Sequence, residues 1–165
     1  MNIEFEDIVR FVRCKNSLLN SVVNMEILKA QSYGIRIVCS LNVPEELPIK
    51  DIDLSRILVN LIDNSVEALR RVDTGDKIVE LNITYKNGYL YITIQNRFDR
   101  KDRSEDEVLG LNTIKDDYKN HGYGHKIIRK IVDKYYGEVN YSVEDDEFIV
   151  EIMLDLKTFE EKKDG

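Results

Sequence analysis

The stretch 54–69, Leu54-Ser-Arg-Ile-Leu-Val-Asn-Leu-Ile-Asp-Asn-Ser-Val-Glu-Ala-Leu69, constrains the fold more than any other part of the chain. Leu54, Ile57, Leu58, Leu61, Ile62, Ser65, Ala68 and Leu69 recur at helical spacing, and all but Ser65 are apolar. With about 3.6 residues per turn they form one broad core-facing arc. Asn60, Asn64, Glu67 and Arg71 follow at i, i+4, i+7 and i+11, a polar row along one edge of that arc. Amides and a carboxylate beside a core describe a cleft wall. Neutral amides suit a metal-bound polyanion, because they supply oxygen ligands without adding repulsive charge. Taken alone, the row is explained equally well by an amphipathic helix with solvated asparagines.

A chain of 165 residues with 42% apolar residues supports one domain with a single core. The formal net charge of −7 argues against non-specific nucleic-acid binding, which needs a basic face. It leaves room for a small anionic ligand, which local field and backbone donors decide. Cys14 and Cys39 have no metal-ligand spacing and are too few for a disulfide framework, so a reduced, cytoplasmic setting is expected. No apolar run approaches a membrane span and no signal peptide is visible; if the chain serves a membrane receptor, it is the cytoplasmic part.

Residues 4–33 carry a helical pattern that Gly34 ends, long enough to be two helices. A short strand over 35–39 and a Pro-containing loop over 42–50 follow. Asp51 or Asp53 is placed to cap the organising helix, which runs to about Arg71. Residues 77–85 read as a strand with Ile78, Leu81, Ile83 and Tyr85 on one face after one slip. Asn87-Gly88 marks a hairpin into a strand over 89–96. Residues 99–107 hold one uncharged position in nine and cannot form a core, so a loop is expected to about Asn120. A helix with Ile127, Ile128, Ile131, Val132 and Tyr135 on one face comes next, then a hairpin of strands 138–143 and 147–156. Its last strand turns Phe148, Val150, Ile152 and Leu154 one way. Strands clustered as hairpins with helices between them predict an α+β two-layer sandwich. The organisation expected is a helical linker, or the end of a dimerisation hairpin, over 1–33, one domain over 34–159 and a disordered tail over 160–165.

Gly122-Tyr-Gly124 opens the last amphipathic helix, directly after the charged loop. Glycine lets backbone approach an anion closely, and first-turn amides with the helix dipole favour phosphate. A plain helix start is the bland explanation of the same residues.

Together the two signals resemble the GHKL superfamily of gyrases, heat-shock chaperones, histidine kinases and MutL. Asn60-Leu-Ile-Asp-Asn-Ser-Val-Glu-Ala68 is similar to its N-box and His121-Gly-Tyr-Gly-His-Lys-Ile-Ile128 to its second glycine box. The resemblance covers about residues 16–156. It is greatest to the catalytic domain of the receptor histidine kinases that sense peptide quorum signals in Gram-positive bacteria. Asp63–Ala68, Gln95-Asn-Arg-Phe98, Thr113-Ile-Lys115 and Gly122–Gly124 meet their pattern in order. The resemblance implies the two-layer Bergerat fold, a mixed sheet packed on helices, with ATP and Mg²⁺ as cofactors. It implies catalytic roles for Asn60 and Asn64, with Asn64 as the Mg²⁺ ligand. Asn96 would accept from the adenine amino group, with its carbonyl in place of the usual aspartate and hence weaker binding. Gly122 and Gly124 would offer amides to the phosphates, and Lys115, Lys119 and His121 would reach the phosphate tail. Asn60 stands where gyrase-like members keep a glutamate base; an amide takes no proton from water, which favours phosphoryl transfer over hydrolysis.

The chain departs from the family in places. No glycine follows Asn96 until Gly110, and His125 replaces a usual leucine. Neither histidine, His121 or His125, lies on a helical hairpin as a phosphoacceptor would. The resemblance therefore implies a catalytic domain that delivers the γ-phosphate to a histidine outside this chain, on a helical domain of the same protein or of a homodimer partner, with a response regulator downstream. An anti-sigma-type serine kinase, or a degenerate module acting as a docking scaffold, are the alternatives.

Overall fold

A computed structural model describes residues 11–72, 75–97 and 122–163. Among these residues four helices and five strands follow one another: α1 (Ser17–Gln31), β1 (Arg36–Asn42), α2 (Asp51–Arg70), β2 (Ile78–Lys86), β3 (Tyr89–Arg97), α3 (Gly122–Lys134), β4 (Glu138–Glu144), β5 (Glu147–Asp155) and α4 (Leu156–Lys163). The strands form one mixed sheet in the order β1-β2-β3-β5-β4. β1 runs parallel to β2, with α2 as the crossover between them; the other three ladders are antiparallel. The expected α+β sandwich is the one observed.

Alternation along the strands decides which face is covered. Val79, Leu81 and Ile83 of β2, Leu90, Ile92 and Ile94 of β3, and Val150, Ile152 and Leu154 of β5 are all buried. Their outward neighbours Glu80, Asn82, Tyr91 and Glu151 are exposed. The helices therefore lie on one face. In β2 the expected slip does not occur: Val79, not Ile78, points into the core, and strict alternation holds through Ile83. At Asn87 and Gly88 φ is 55° and 87°, the backbone that turns β2 back on β3.

α2 is held by its apolar arc. Leu54, Ile57, Leu58, Leu61, Ile62, Val66 and Leu69 are buried, with Val66 taking the place expected of Ala68. Each such side chain contributes about 1.5–3 kcal/mol on burial. That outweighs a missing side-chain cap, which costs about 1 kcal/mol. The residue before the helix is Lys50, which makes no capping bond, and Asp53 does something other than cap. It is buried, accepts from the Tyr135 hydroxyl at 2.8 Å and pairs with Lys134, which ties the start of α2 to the end of α3. The Tyr135 oxygen in turn accepts the Lys50 backbone N–H at 3.0 Å.

The long N-terminal helix is corrected at its start, and residues 4–10 of the expected pattern lie outside the described residues. Among the described residues helix begins only at Ser17, capped by Asn16, and residues 11–16 are not helical. Leu19, Val23, Ile27 and Ala30 of α1 are buried in the same core as the sheet. The expected frayed tail is helix through Lys163. Asp155 caps it, accepting from the Thr158 N–H at 2.9 Å and the Thr158 hydroxyl at 2.8 Å. Leu156 is fully buried, and the Phe159 ring lies 4.4 Å from that of Tyr135.

Candidate functional site

The polar row of α2 meets the first turn of α3. Asn60 and Asn64, one helical turn apart, are half-buried on the side of α2 that α3 approaches. A Cβ placed on Gly124 would lie 3.0 Å from Asn60 Oδ1 and 3.7 Å from Asn64 Nδ2. A side chain here would need α3 or the amide to give by a few tenths of an ångström, so the helix that begins at Gly122 presents its first turn closely to the two amides. Asn60 Nδ2 donates to the Arg56 carbonyl at 2.6 Å, which leaves its Oδ1 turned to Gly124. The Asn64 side chain makes no hydrogen bond to the described residues.

The carboxylates next to these amides are spoken for. Asp63 accepts from Lys29 of α1, and Glu67 Oε1 accepts from Arg71 Nη2 at 2.7 Å. The Asp63 contact raises the Lys29 pKa. Glu26 lies beside Lys29, 3.7 Å from its ammonium, and is 3% exposed. Its pKa is raised by burial first and then by the Asp63 charge.

Asn96 ends the central strand β3 on the helix-covered face, paired with Val79 and Phe148 and only 3% exposed. Its Nδ2 donates to the Arg97 carbonyl at 2.9 Å, and among the described residues nothing donates to its Oδ1. The amide is thus set as an acceptor. Beyond it, the His125 ring lies 5.0 Å from Tyr141, whose ring stacks at 6.3 Å on Phe148. His125 is a packed side chain under the start of α3.

Lys115, Lys119 and His121 lie outside the described residues. Of the residues singled out from sequence, Asn60, Asn64 and Gly124 come together, Gly122 starts the same turn, and Asn96 shares the covered face. Sequence patterning missed the Asn60–Gly124 contact and the Lys29–Asp63 pair; a Gly-x-Gly facing an i, i+4 amide pair is the signal that carries the first. No group of three or more His, Cys, Asp or Glu among the described residues is placed to hold a metal ion. Burial pushes the Cys39 thiol up to about 11, which removes it as a nucleophile.

The sequence pattern of the GHKL domain matches residues 49–155, from two residues before the Asn60 helix to the end of β5. The chain belongs to the GHKL family. Solved structures agree on the GHKL fold. The catalytic domain of the histidine kinase ThkA in a nucleotide-free form superposes with a TM-score of 0.63 at 17% identity, over 84% of this chain and 91% of that one. Histidine kinase AdeS of Acinetobacter baumannii gives 0.57 at 15% identity, over 84% of this chain and 64% of its own. Full-length ShkA in complex with AMPPNP gives 0.62 at 17% identity, over 88% of this chain and 30% of its own. No curated protein matches the sequence. No helix among the described residues of this GHKL chain is long and apolar enough to cross a membrane.

Proposed function

We propose that this GHKL domain is the ATP-binding catalytic domain of a sensor histidine kinase, of the peptide quorum-sensing type, and transfers the γ-phosphate of ATP to a histidine outside the chain. One observation carries the reading: two neutral amides, Asn60 and Asn64, lie beside the glycine turn of α3, close enough that a Cβ at Gly124 would meet Asn60 Oδ1 at 3.0 Å. Backbone donors on one wall and amide oxygens on the other suit a magnesium polyphosphate. Asn64 would hold Mg²⁺ together with phosphate and water oxygens, as a hard cation of low protein coordination requires. When bound, the ion neutralises charge on the phosphates. Asn96 Oδ1 offers the acceptor that an adenine amino group needs.

Transfer is favoured over hydrolysis by the state of the carboxylates. Asn60 cannot accept a proton from water, and Asp63 and Glu67 are engaged by Lys29 and Arg71. The domain's part is to bind, orient and shield the nucleotide. The acceptor histidine comes from a helical domain in the same protein or a homodimer partner, and a response regulator takes the phosphate onward in the cytoplasm. Lys115, Lys119 and His121 are proposed to meet the phosphate tail.

Titration with Mg-ATP tests this. Binding is expected in the micromolar to millimolar range, without phosphate release, and is lost in Asn64→Ala. Transfer to an added histidine-bearing helical hairpin, and none to a serine-bearing antagonist, is expected. No binding at millimolar Mg-ATP refutes the kinase and leaves the docking scaffold; transfer to serine replaces it with the serine kinase.

A further inference from the structure

Three asparagines, Asn16, Asn20 and Asn24, recur every fourth residue at the start of α1. Asn16 caps the helix through the Leu19 N–H at 2.9 Å and donates to the Glu45 carbonyl at 3.0 Å, fixing the helix to the loop before α2. The other two grip the segment that precedes the helix. Asn20 accepts from the Cys14 N–H at 2.8 Å and donates to the Cys14 carbonyl at 2.7 Å. Asn24 does the same to Val12, at 2.8 Å and 3.1 Å. Each carboxamide offers one donor and one acceptor to both backbone groups of a single residue, as a neighbouring β-strand would.

The spacing explains why this works. Four residues of α-helix rise about 6.0 Å. Two residues of extended chain span about 6.6 Å. An i, i+4 amide pair is therefore in register with alternate residues of a strand laid antiparallel to the helix. All four bonds go to backbone, so the surface reads chain direction and register rather than side-chain identity. Arg13, between the two gripped residues, is exposed. Position 28, the next in the series, is Leu28, and the row ends there. Four part-buried hydrogen bonds oppose the entropy of ordering a short segment, and the two terms are of similar size, so the strand can be released.

The same helix reaches the candidate nucleotide wall. One turn beyond Asn24, Lys29 binds Asp63, the residue before Asn64. We propose that Asn20 and Asn24 form a strand-binding surface whose occupant, residues 12–14, is coupled to the nucleotide site through α1, Lys29 and Asp63. Strand and Mg-ATP each favour the other's binding, because each orders the helix the other needs. The coupling rests on the ATP-binding reading above; the strand surface does not. Asn20 and Asn24 are positioning residues, since neither touches the nucleotide wall.

Trypsin cutting of the Arg13–Cys14 bond reports release of the strand, because a fast-reclosing segment is cut in proportion to its open population. Asn20→Leu/Asn24→Leu is expected to speed this cut about tenfold with the fold retained. Asn20→Asp/Asn24→Asp, which keeps the acceptors and loses the donors, falls between and replaces the leucine pair if that pair does not fold. Saturating Mg-ATP slows the wild-type cut, and the variant binds Mg-ATP more weakly by at most that same factor, as linkage demands. Equal cutting of wild type and variant overturns the strand surface. Altered cutting that ignores Mg-ATP, in a chain that binds Mg-ATP by titration, overturns the coupling alone. A chain that binds no Mg-ATP overturns the ATP-binding reading and the coupling with it, while the cutting ratio still judges the strand surface.

Discussion

The Tyr135 hydroxyl donates to Asp53 at 2.8 Å while accepting the Lys50 backbone N–H at 3.0 Å, so one oxygen joins the start of α2 to the end of α3. Tyr135 is fully buried. Tyr135→Phe leaves the Asp53 and Lys50 groups short of a partner, at a cost of about 1–3 kcal/mol. A lower melting temperature is expected, by roughly 3–10 °C for a domain of this size. Asp53 adds a pH signature. Burial pushes its carboxyl up, but the bonds from Lys134 and Tyr135 outweigh that and hold it below the ordinary 3.8. A lowered carboxyl contributes stability that is complete above 3.8 and lost as pH falls through the folded value. The gap in melting temperature between wild type and Asp53→Asn should be full at neutral pH and close below that point. A gap constant from pH 7 to pH 3 would remove the ion pair from the account.

Gly124→Ala is expected to act through Asn60. The new methyl group would meet Asn60 Oδ1 at 3.0 Å, so α3 or the amide must shift by a few tenths of an ångström. Mg-ATP affinity should fall about tenfold or more with little change in melting. In an Asn60→Ala background the same substitution should cost nothing further, a coupling that a double-mutant cycle on Mg-ATP binding measures. Additive effects would mean that the two residues do not share the gap.

Glu26→Gln is expected to stabilise the protein at neutral pH. One carboxylate oxygen, Oε2, is buried and accepts no hydrogen bond, and burial with the Asp63 charge raises its pKa. The folded state therefore holds the proton more tightly than the unfolded chain. The cost of the ionised glutamate is complete above the raised value and gone below the ordinary 4.5. A rise of about 2–4 °C in melting temperature at pH 7 is expected, corresponding to roughly 1 kcal/mol, and it should vanish near pH 4. Destabilisation at pH 7 would show that the 3.7 Å approach to Lys29 outweighs burial.

Asn96→Asp tests whether the amide is a weakened aspartate or a residue fitted to its place. The amide nitrogen donates to the Arg97 carbonyl at 2.9 Å, a bond a carboxylate would turn into repulsion. The substitution should cost about 1–3 kcal/mol of stability in thermal melts, in spite of the charge it offers an adenine. Retained stability with tighter Mg-ATP binding would reverse that reading.

Elements with internal periodicity were legible in the sequence. α2 showed its arc because Leu54 to Leu69 repeat every three or four residues and all bury on one side. The β2–β3 hairpin showed through Asn87-Gly88, and the covered face of β5 through its alternation. Signals with partners far along the chain were not legible. Hydropathy ran α1 back through Val12, yet that backbone is satisfied by Asn24, twelve residues away, and by no helical carbonyl. Ile78 and Val79 are both apolar, and the alternation with Leu81 and Ile83, fixed by pairing with β1 and β3, turns Val79 inward. α4 was hidden by a polar composition, although Asp155 three residues before Thr158 is a legible cap. In the site, the row Asn60–Asn64 and the glycine turn were visible separately; their contact was not, because it depends on how α3 packs on α2.

The sheet order carries one more consequence. β1, α2, β2 and β3 form one half of the strand sequence, and α3, β4, β5 and α4 the other. Among the described residues the β3–β5 ladder, the packing of α3 and α4 on the first half, and the bonds of Tyr135 and Lys134 to the start of α2 join them, with Asn60 and Gly124 facing each other over the join. The cleft is therefore a seam. A ligand held by both walls acts as a rivet across it.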